Sequence, residues 1–289
     1  MPNEKDINAP IKILLLGSDT NIGEELISFS EELAEFSLTS LTQESFYQTQ
    51  FSVDSFNKYD VVLDALSIGA NTDDFAQIKA CNHMLQDADV SMFMLSSVEV
   101  FSGDKGTAYD ENEEPDAKST KGQQLAEIEQ LVLSDSNNIV LRSGWLFGCK
   151  QQDFVASTLA KLKLGEPVLL EDDLLGNPTP ISDLVRVAFS LIKQRHFGAK
   201  NSGVYHYSCA EDISWFGFGE AVLTNASQFN IQFQASLQST NSSEAEVTDL
   251  TLLRKQSLSC RKIFNHFGVK QRPWRASLRN LVKDLYQMN

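Results

Sequence analysis

Apolar and polar positions alternate along this chain in short blocks that read as strands and helices in turn. The first block sets the pattern. Ile13-Leu14-Leu15-Leu16 is an unbroken apolar run that stops at Gly17, and Gly23 then opens a stretch with apolar residues at Ile22, Leu26, Ile27 and Leu33. A run apolar at every position is a strand buried on both faces, whereas steps of three and four mark one face of a helix. Phe36–Thr42 reads as a second strand, Asp60–Leu66 as a third, Ile78–Ala88 as a helix and Val90–Ser96 as another buried strand. Lys118–Ser134 carries Leu125, Ile128, Leu131 and Val132 at helical spacing, and Ile139–Arg142 is a strand again. This rhythm predicts an α/β fold, a Rossmann-like doubly wound parallel sheet. Its first strand should end at Leu16 or Gly17, with Gly23 inside the first helical turn. Beyond Gly148 the pattern changes to longer helices and isolated strands at Val168–Leu170, Gly203–Tyr207 and Ile231–Gln234, which predicts a smaller mixed α/β unit. The polar stretch Gln238–Glu246 reads as a mobile loop.

A strand that turns at a glycine into a helix has a specific chemical use. The glycine lets the backbone approach a pyrophosphate, and the helix N-terminus offers free N–H groups and the positive end of its dipole. Gly17 and Gly23 fit that geometry, but Thr20 stands where a third glycine would complete the spacing Gly-x-x-Gly-x-x-Gly. Asp19 adds a carboxylate to the same loop, exposed and able to point away. An ordinary βα turn gives the same two-glycine pattern, so binding has to be argued from other residues. The expected organisation is a nucleotide-binding domain over residues 1–148 and a mostly smaller substrate-type domain over 149–289, with 181–207 returning to the first.

Composition narrows the chemistry. The 289 residues are 42% apolar, and no run approaches the ~20 apolar residues of a membrane helix. The polar N-terminus MPNEKDINAP has no apolar signal core, which points to a cytoplasmic protein. Cys81, Cys149, Cys209 and Cys260 are far apart with no CxxC, and the four histidines show no HxxxH spacing, so neither a disulfide framework nor a metal site is expected. A net charge of −15 disfavours nucleic acid. Leu250–Lys283, however, holds nine basic residues and no acidic one, +9 against −24 for the rest. Such a segment is either a solvated helix face balancing an acidic body or a positive lip for a diphosphate or an acidic protein partner.

Eight blocks then occur in a telling order: LSSVEVFSG (95–103), RSGWLFG (142–148), DF (153–154), GNPTPISDL (176–184), GVYHYS (203–208), ISWFGF (213–218), SLSCRKI (257–263) and PWRASL (273–278). From about residue 90 onward the chain resembles the extended short-chain dehydrogenases that reduce dTDP-4-dehydrorhamnose. The resemblance implies NADP or NAD as cofactor, a nucleotide sugar as ligand and no metal. It places the cofactor along Gly17, Thr20, Asn21, Ile22, Gly23, Ala65 and Ser96, and the sugar nucleotide against Trp145, Phe154, Asn177, Thr179 and Arg254, in a cleft at the sheet's C-terminal edge.

The resemblance fails at the catalytic pair. The family carries a Tyr and a Lys four residues apart on one face of the helix after the LSS strand, the ammonium lowering the phenol pKa so that it protonates the substrate carbonyl. An ungapped alignment through Gly122 and Glu129 puts Lys121 and Leu125 there, a shift by one gives Thr120 and Gln124, and no Tyr in the chain is followed four residues later by Lys. Ser97, at the place of the carbonyl-polarising Ser/Thr, is the remnant. The cofactor side is eroded as well. No Lys or Arg lies between Glu24 and Asn57 to clamp a 2′-phosphate, Glu44 is a poor candidate for a ribose hydroxyl, and the connection after Ala65 is about ten residues shorter than the family's. Lys255 also replaces a proline next to Arg254. Pro178 and Thr179 are equally the residues of a turn, Trp145 and Trp215 equally core, and His206 a hydrogen-bonded strand histidine. Three readings follow: a catalytically degenerate member that binds a nucleotide or nucleotide sugar in a regulatory or scaffold role, an active NAD(P)H-dependent reductase of a 4-keto-6-deoxy nucleotide sugar, and a protein-interaction module without ligand. The regulatory subunit of methionine adenosyltransferase, similar in fold, is the analogy for the first.

Overall fold

The computed structural model describes residues 9–88, 90–148, 153–229, 233–241 and 254–287. They form two compact units. One takes the chain up to Val100, Pro115–Arg142 and Val185–Tyr205; the other takes Phe101–Glu114, Ser143–Leu184 and the chain from His206 onward. The expected boundary at residue 148 thus lies six residues after the crossover at Arg142, and the loop Phe101–Glu114 belongs with the second unit.

The first unit is built on a six-stranded sheet. Ile11–Leu16 (β1) runs into Asn21–Glu31 (α1), Phe36–Leu41 (β2) into Gln43–Gln48 (α2), and Val61–Asp64 (β3) through two short 3-10 turns into Phe75–Gln86 (α3). Ser91–Ser97 (β4), Thr120–Val132 (α4) and Ile139–Ser143 (β5) follow. β1 pairs in parallel with β2 and β3, and β3 with β4, so the apolar run of β1 lies in mid-sheet as its sequence requires. The strand order reverses at β1 and β3, placing β4, β5 and a later strand, Gly203–Tyr207, on one side and β2 on the other. Three of these helices, α1, α2 and α4, start on a capping hydroxyl. Thr20, Thr42 and Ser119 have extended backbones, and their hydroxyls accept the amides of Gly23, Ser45 and Gly122. α3 packs on α4. Phe189 of the long helix Ile181–His196 meets Phe29 of α1 and Phe36 of β2.

The second unit uses short strands. Trp145–Phe147 (β6) pairs in parallel with Pro178–Pro180, and Leu174–Gly176 is sandwiched between Ile213–Ser214 and Arg254–Gln256. With the helix Phe154–Lys163 as α5, the strands in chain order are Val168–Glu171 (β7), Leu174–Gly176 (β8), Pro178–Pro180 (β9), Gly203–Tyr207 (β10), Ile213–Ser214 (β11), Leu237–Thr240 (β12) and Arg254–Gln256 (β13). Helices Ile181–His196 (α6), Trp215–Ala226 (α7), Arg261–Phe267 (α8) and Arg275–Gln287 (α9) complete the chain. The core joins Phe147, Phe218, Val222, Trp274, Leu278 and Val282.

Two expectations need correction. Of the strand expected at Ile231–Gln234, residues 231 and 232 lie outside the described residues, and Phe233 and Gln234 carry no strand; the nearest one is β12. The polar stretch from Gln238 begins inside β12, paired in parallel with β7 from Leu237↔Val168 to Thr240↔Glu171, while residues 242–246 lie outside the described residues. Backbone pairing overrode side-chain polarity there, as it does on exposed strands.

Candidate functional site

In the first unit the β1–α1 turn is a tight structure. Gly17 has φ +83°, and a Cβ on it would lie 2.8 Å from Leu66 Cα, so only glycine fits beneath the loop after β3. Thr20, in place of the third glycine, serves as the helix cap. Its hydroxyl donates to Gly17 O (2.8 Å) and lies 3.4 Å from Ala65 O, and it accepts from Gly23 N (3.0 Å). Gly17, Thr20, Gly23 and Ala65 are therefore brought together. The amides of Gly17 and Ser18 both donate to Leu41 O, and that of Glu24 to Thr20 O. What the first turn still offers an anion is the amides of Asn21 and Ile22. Asp19 points away from them and accepts the amide of Gln43 at 2.7 Å, which sets a carboxylate beside the end of β2. Glu44, exposed in the next turn, bonds Gln48 at 3.0 Å.

Asp64, unremarked within its apolar strand, holds the loop that covers Gly17. Its carboxylate accepts the amides of Leu66 and Ser67, each at 2.9 Å, and the Ser67 hydroxyl. Burial pushes its pKa up, and those three donors pull the other way.

The face of α4 is the decisive geometry. Lys121, Leu125 and Glu129 follow one another at steps of four, hence on one face. Lys121 reaches back to Glu99, 3.2 Å away. Leu125 has no exposed surface. Glu129 is buried against Arg142, which donates from Nε at 3.0 and 3.1 Å and from Nη2 at 2.6 Å, and the Ser96 hydroxyl donates to the same carboxylate. Ser96, an expected cofactor contact, is thereby fully buried and committed to the interior. Ser97 is nearly buried, and its hydroxyl accepts the Glu99 amide at 3.2 Å. The buried ion pair was not foreseen; an arginine in the otherwise apolar β5 was its signal.

The expected sugar-nucleotide residues all fall in the second unit. Trp145 stacks on Trp215 with centroids 4.0 Å apart, and its indole donates to Gln256 at 3.0 Å. The ring lies so close over Gly176 that a Cβ there would come within 2.2 Å of it. Phe154 extends the cluster from Trp215 to Phe218. Asn177 ties three segments, donating to Asp212 (2.8 Å) and Glu211 O and accepting the Leu258 amide (3.1 Å). Thr179, fully buried, donates to Asn177 O and accepts the Cys209 amide. Arg254 is 31% exposed and paired with Asp104 at 3.3 Å. A tyrosine and a lysine do meet in this unit, Lys105 sitting over the ring of Tyr109. The ammonium faces the ring, not the oxygen, and the phenol is buried, accepting the Gly103 amide at 3.0 Å. His206 is buried too, its Nδ1 3.3 Å from Tyr109 O and its amide donating to Glu111, as a strand histidine should. Burial pushes the thiols of Cys81 and Cys209 to about 12 and that of Cys260 to about 11, so none of the three is a nucleophile. Among the described residues no group of three His, Cys, Asp or Glu could hold a metal, and no helix is long and apolar enough to cross a membrane.

Known proteins place this architecture. By structure, the chain is similar to a dTDP-4-dehydrorhamnose reductase from Clostridium acetobutylicum (20% identity, TM-score 0.76, 96% of this chain and 100% of that one). A dTDP-4-dehydrorhamnose reductase from Bacillus anthracis in complex with NADP matches at 18% identity and TM-score 0.71, over 95% and 99% of the two chains. By sequence, the dTDP-4-dehydrorhamnose reductase of Aggregatibacter actinomycetemcomitans is 26% identical over 63% of each chain. That of Sinorhizobium fredii is 27% identical over 67% of this chain and 66% of its own. The matched stretches span just under two thirds of these relatives' length. The family model described as the RmlD substrate binding domain matches residues 70–287, starting after the glycine turn and the first three strands. Since that match takes in most of the sequence and runs through α4, β6 and Asn177 with the strand β9 that follows it, the chain belongs to the RmlD substrate binding domain family, the dTDP-4-dehydrorhamnose reductase-like proteins.

Proposed function

We propose that this protein is a reductase-fold member that has lost carbonyl reduction and binds a nucleotide or nucleotide sugar in a regulatory or scaffold role. The observation that carries the reading is the α4 face, where Lys121 is engaged by Glu99 and Leu125 is sealed in the core. A general acid for carbonyl reduction must reach the substrate oxygen and have a tuned pKa. The Lys121 ammonium is held to Glu99, and a buried leucine has no proton to give.

The turn residues fit a diphosphate modestly, through the Asn21 and Ile22 amides. They do not fit the 2′-phosphate of NADP. No cation lies between Glu24 and Asn57, and the Asp19 carboxylate stands beside the end of β2, where it would repel a phosphate and accept a ribose hydroxyl. A nucleotide with free ribose hydroxyls is the form these residues suit. In the second unit a sugar nucleotide's diphosphate would have to draw Arg254 from Asp104, while Trp145, buried between Trp215 and Gly176, supports that wall from within.

The test is direct binding by calorimetry with NAD, NADP and a dTDP-sugar. NAD should bind at least about tenfold more tightly than NADP, and Arg254→Ala should weaken the dTDP-sugar by about tenfold. Tighter NADP binding would overturn the cofactor reading. Equal binding of a dTDP-sugar by wild type and Arg254→Ala would overturn the role of Arg254, and no binding of any of these at millimolar concentration would leave the interaction module. An active reductase is the second reading, favoured by the named activity of the relatives; it requires a proton donor other than residue 121.

A further inference from the structure

The basic segment noted in the sequence is divided by the structure. Arg254, Lys255, Arg272 and Arg275 pair with Asp104, Asp212, Asp183 and Glu211. Lys262 faces Glu111, whose pKa burial raises and Lys262 lowers. Arg261 and Lys270 are exposed and have no acidic partner among the described residues. Both line one groove of about 630 Å³ in the second unit. Arg261 and Phe264 lie three apart on α8, hence on one side of the helix. After α8 ends at Gly268 in the left-handed region, the chain returns through Val269 and Lys270 along the same groove. Ala108, Asp110, Leu258 and Ser259 also line it, and their two segments are joined by the bridge of Tyr109 with Leu258 through the bonds Tyr109 N to Ser257 O and Ser259 N to Tyr109 O.

The one acidic group on the groove is Asp110, whose Oδ1 is taken up by the Asn112 amide. Phe264 is 48% exposed, one of few large apolar side chains left in water. An exposed aromatic beside unpaired cations is the composition of a protein-binding surface. Arg261 and Lys270 against Asp110 leave the groove locally positive on a chain of net charge −15, so carboxylates are complementary to it at short range although the overall field does not steer them in.

We propose that this groove docks an acidic peptide segment with an apolar anchor, its carboxylates on Arg261 and Lys270 and its anchor against Phe264 and Val269. The groove is open and its cations sit on mobile stems, which suits side chains of an extended segment better than a small phosphate cradled by backbone amides. The assignment is independent of whether the protein retains reductase chemistry.

The probe is a fluorescein-labelled peptide alternating glutamate with phenylalanine and leucine, read by anisotropy on the full chain. Polyglutamate of equal charge and a nucleoside diphosphate serve as competitors. Binding should weaken at least about tenfold in Arg261→Glu/Lys270→Glu and severalfold in Phe264→Ala, and fall as salt is raised. Arg279→Glu, an exposed cation of α9 outside the groove, should change it less than about twofold. All these positions are exposed, and unaltered melting curves confirm that the variants fold. The proposal is overturned if the anchored peptide does not bind at millimolar concentration, or if Arg279→Glu weakens it as much as the double reversal. It is equally overturned if polyglutamate competes as well as the anchored peptide, or if the nucleoside diphosphate alone occupies the groove.

Discussion

The ungapped alignment through Gly122 and Glu129 sets Leu125 where the family's catalytic lysine is expected, and introducing a lysine there tests how firmly this position belongs to the core. Leu125 has no exposed surface on the inner side of α4. Leu125→Lys removes about 1.5–3 kcal/mol of side-chain burial. It also desolvates an ammonium, at a further cost of several kcal/mol before relaxation. A net loss of about 4–6 kcal/mol is a large part of the ~5–15 kcal/mol typical of a folded chain. At roughly 2 °C per kcal/mol for a protein of this size, the melting temperature should fall by about 8 °C or more. Leu125→Met, which conserves volume, should cost less than about 1.5 kcal/mol. Lys121→Tyr breaks an ion pair whose partners are both more than a third exposed and should change stability by no more than about 1 kcal/mol. The buried lysine's pKa would be depressed in the folded state, so the unfolded chain binds more protons and the deficit against wild type should shrink as pH rises toward ~10. The assay is thermal and urea unfolding of the three single variants and of Lys121→Tyr/Leu125→Lys, followed by turnover of the double variant. It should fold poorly and reduce nothing. If Leu125→Lys melts within about 2 °C of wild type at neutral pH, Leu125 is not core and the argument from α4 collapses.

Other consequences lie elsewhere in the fold. Breaking the buried pair with Arg142→Met or Glu129→Ala should each cost about 3–5 kcal/mol in urea unfolding, because each leaves a charge buried and alone; a cost below about 1 kcal/mol would contradict the burial of that pair. Asp64 has its folded pKa raised by burial, so its contribution to stability is full below the ordinary carboxylate value and is lost as pH rises through the folded one. Asp64→Asn should therefore gain on wild type as pH is raised from about 4 toward neutrality, and a constant difference would count against it. Gly176→Ala drives a methyl into the Trp145 ring and should cost about 1–3 kcal/mol while shifting tryptophan emission; unchanged emission and stability would show the ring free to move.

The sheet was legible because its signal is collective. β1 to β5 announce themselves by apolar runs and turn residues, and the structure moves their ends by a residue or two. β12 was not legible, since its pairing with β7 is made by backbone groups that leave no mark on side-chain polarity. For the candidate site, the sequence revealed which residue types were missing but not how the remaining ones are used. Lys121 and Leu125 could be read as unfit for catalysis, whereas the reach of Lys121 to Glu99 and the burial of Leu125 depend on tertiary packing. Asp19 pointing at Gln43 and Asp64 pinning the loop over Gly17 are contacts between distant segments, beyond any local pattern. Asn177 and Thr179 were singled out as ligand residues, and the structure finds their polar atoms engaged by Asp212, Leu258 and Cys209.

The central claim is that the α4 face no longer supports carbonyl reduction, and steady-state turnover tests it most directly. Purified protein is mixed with dTDP-4-dehydrorhamnose and either NADH or NADPH, and nicotinamide absorbance is followed. The account predicts no oxidation above the enzyme-free rate with either cofactor, as expected when a general acid worth ~10²–10⁴-fold is absent and the cofactor is poorly held. Turnover within tenfold of an ordinary enzyme, roughly 10 s⁻¹, would contradict it.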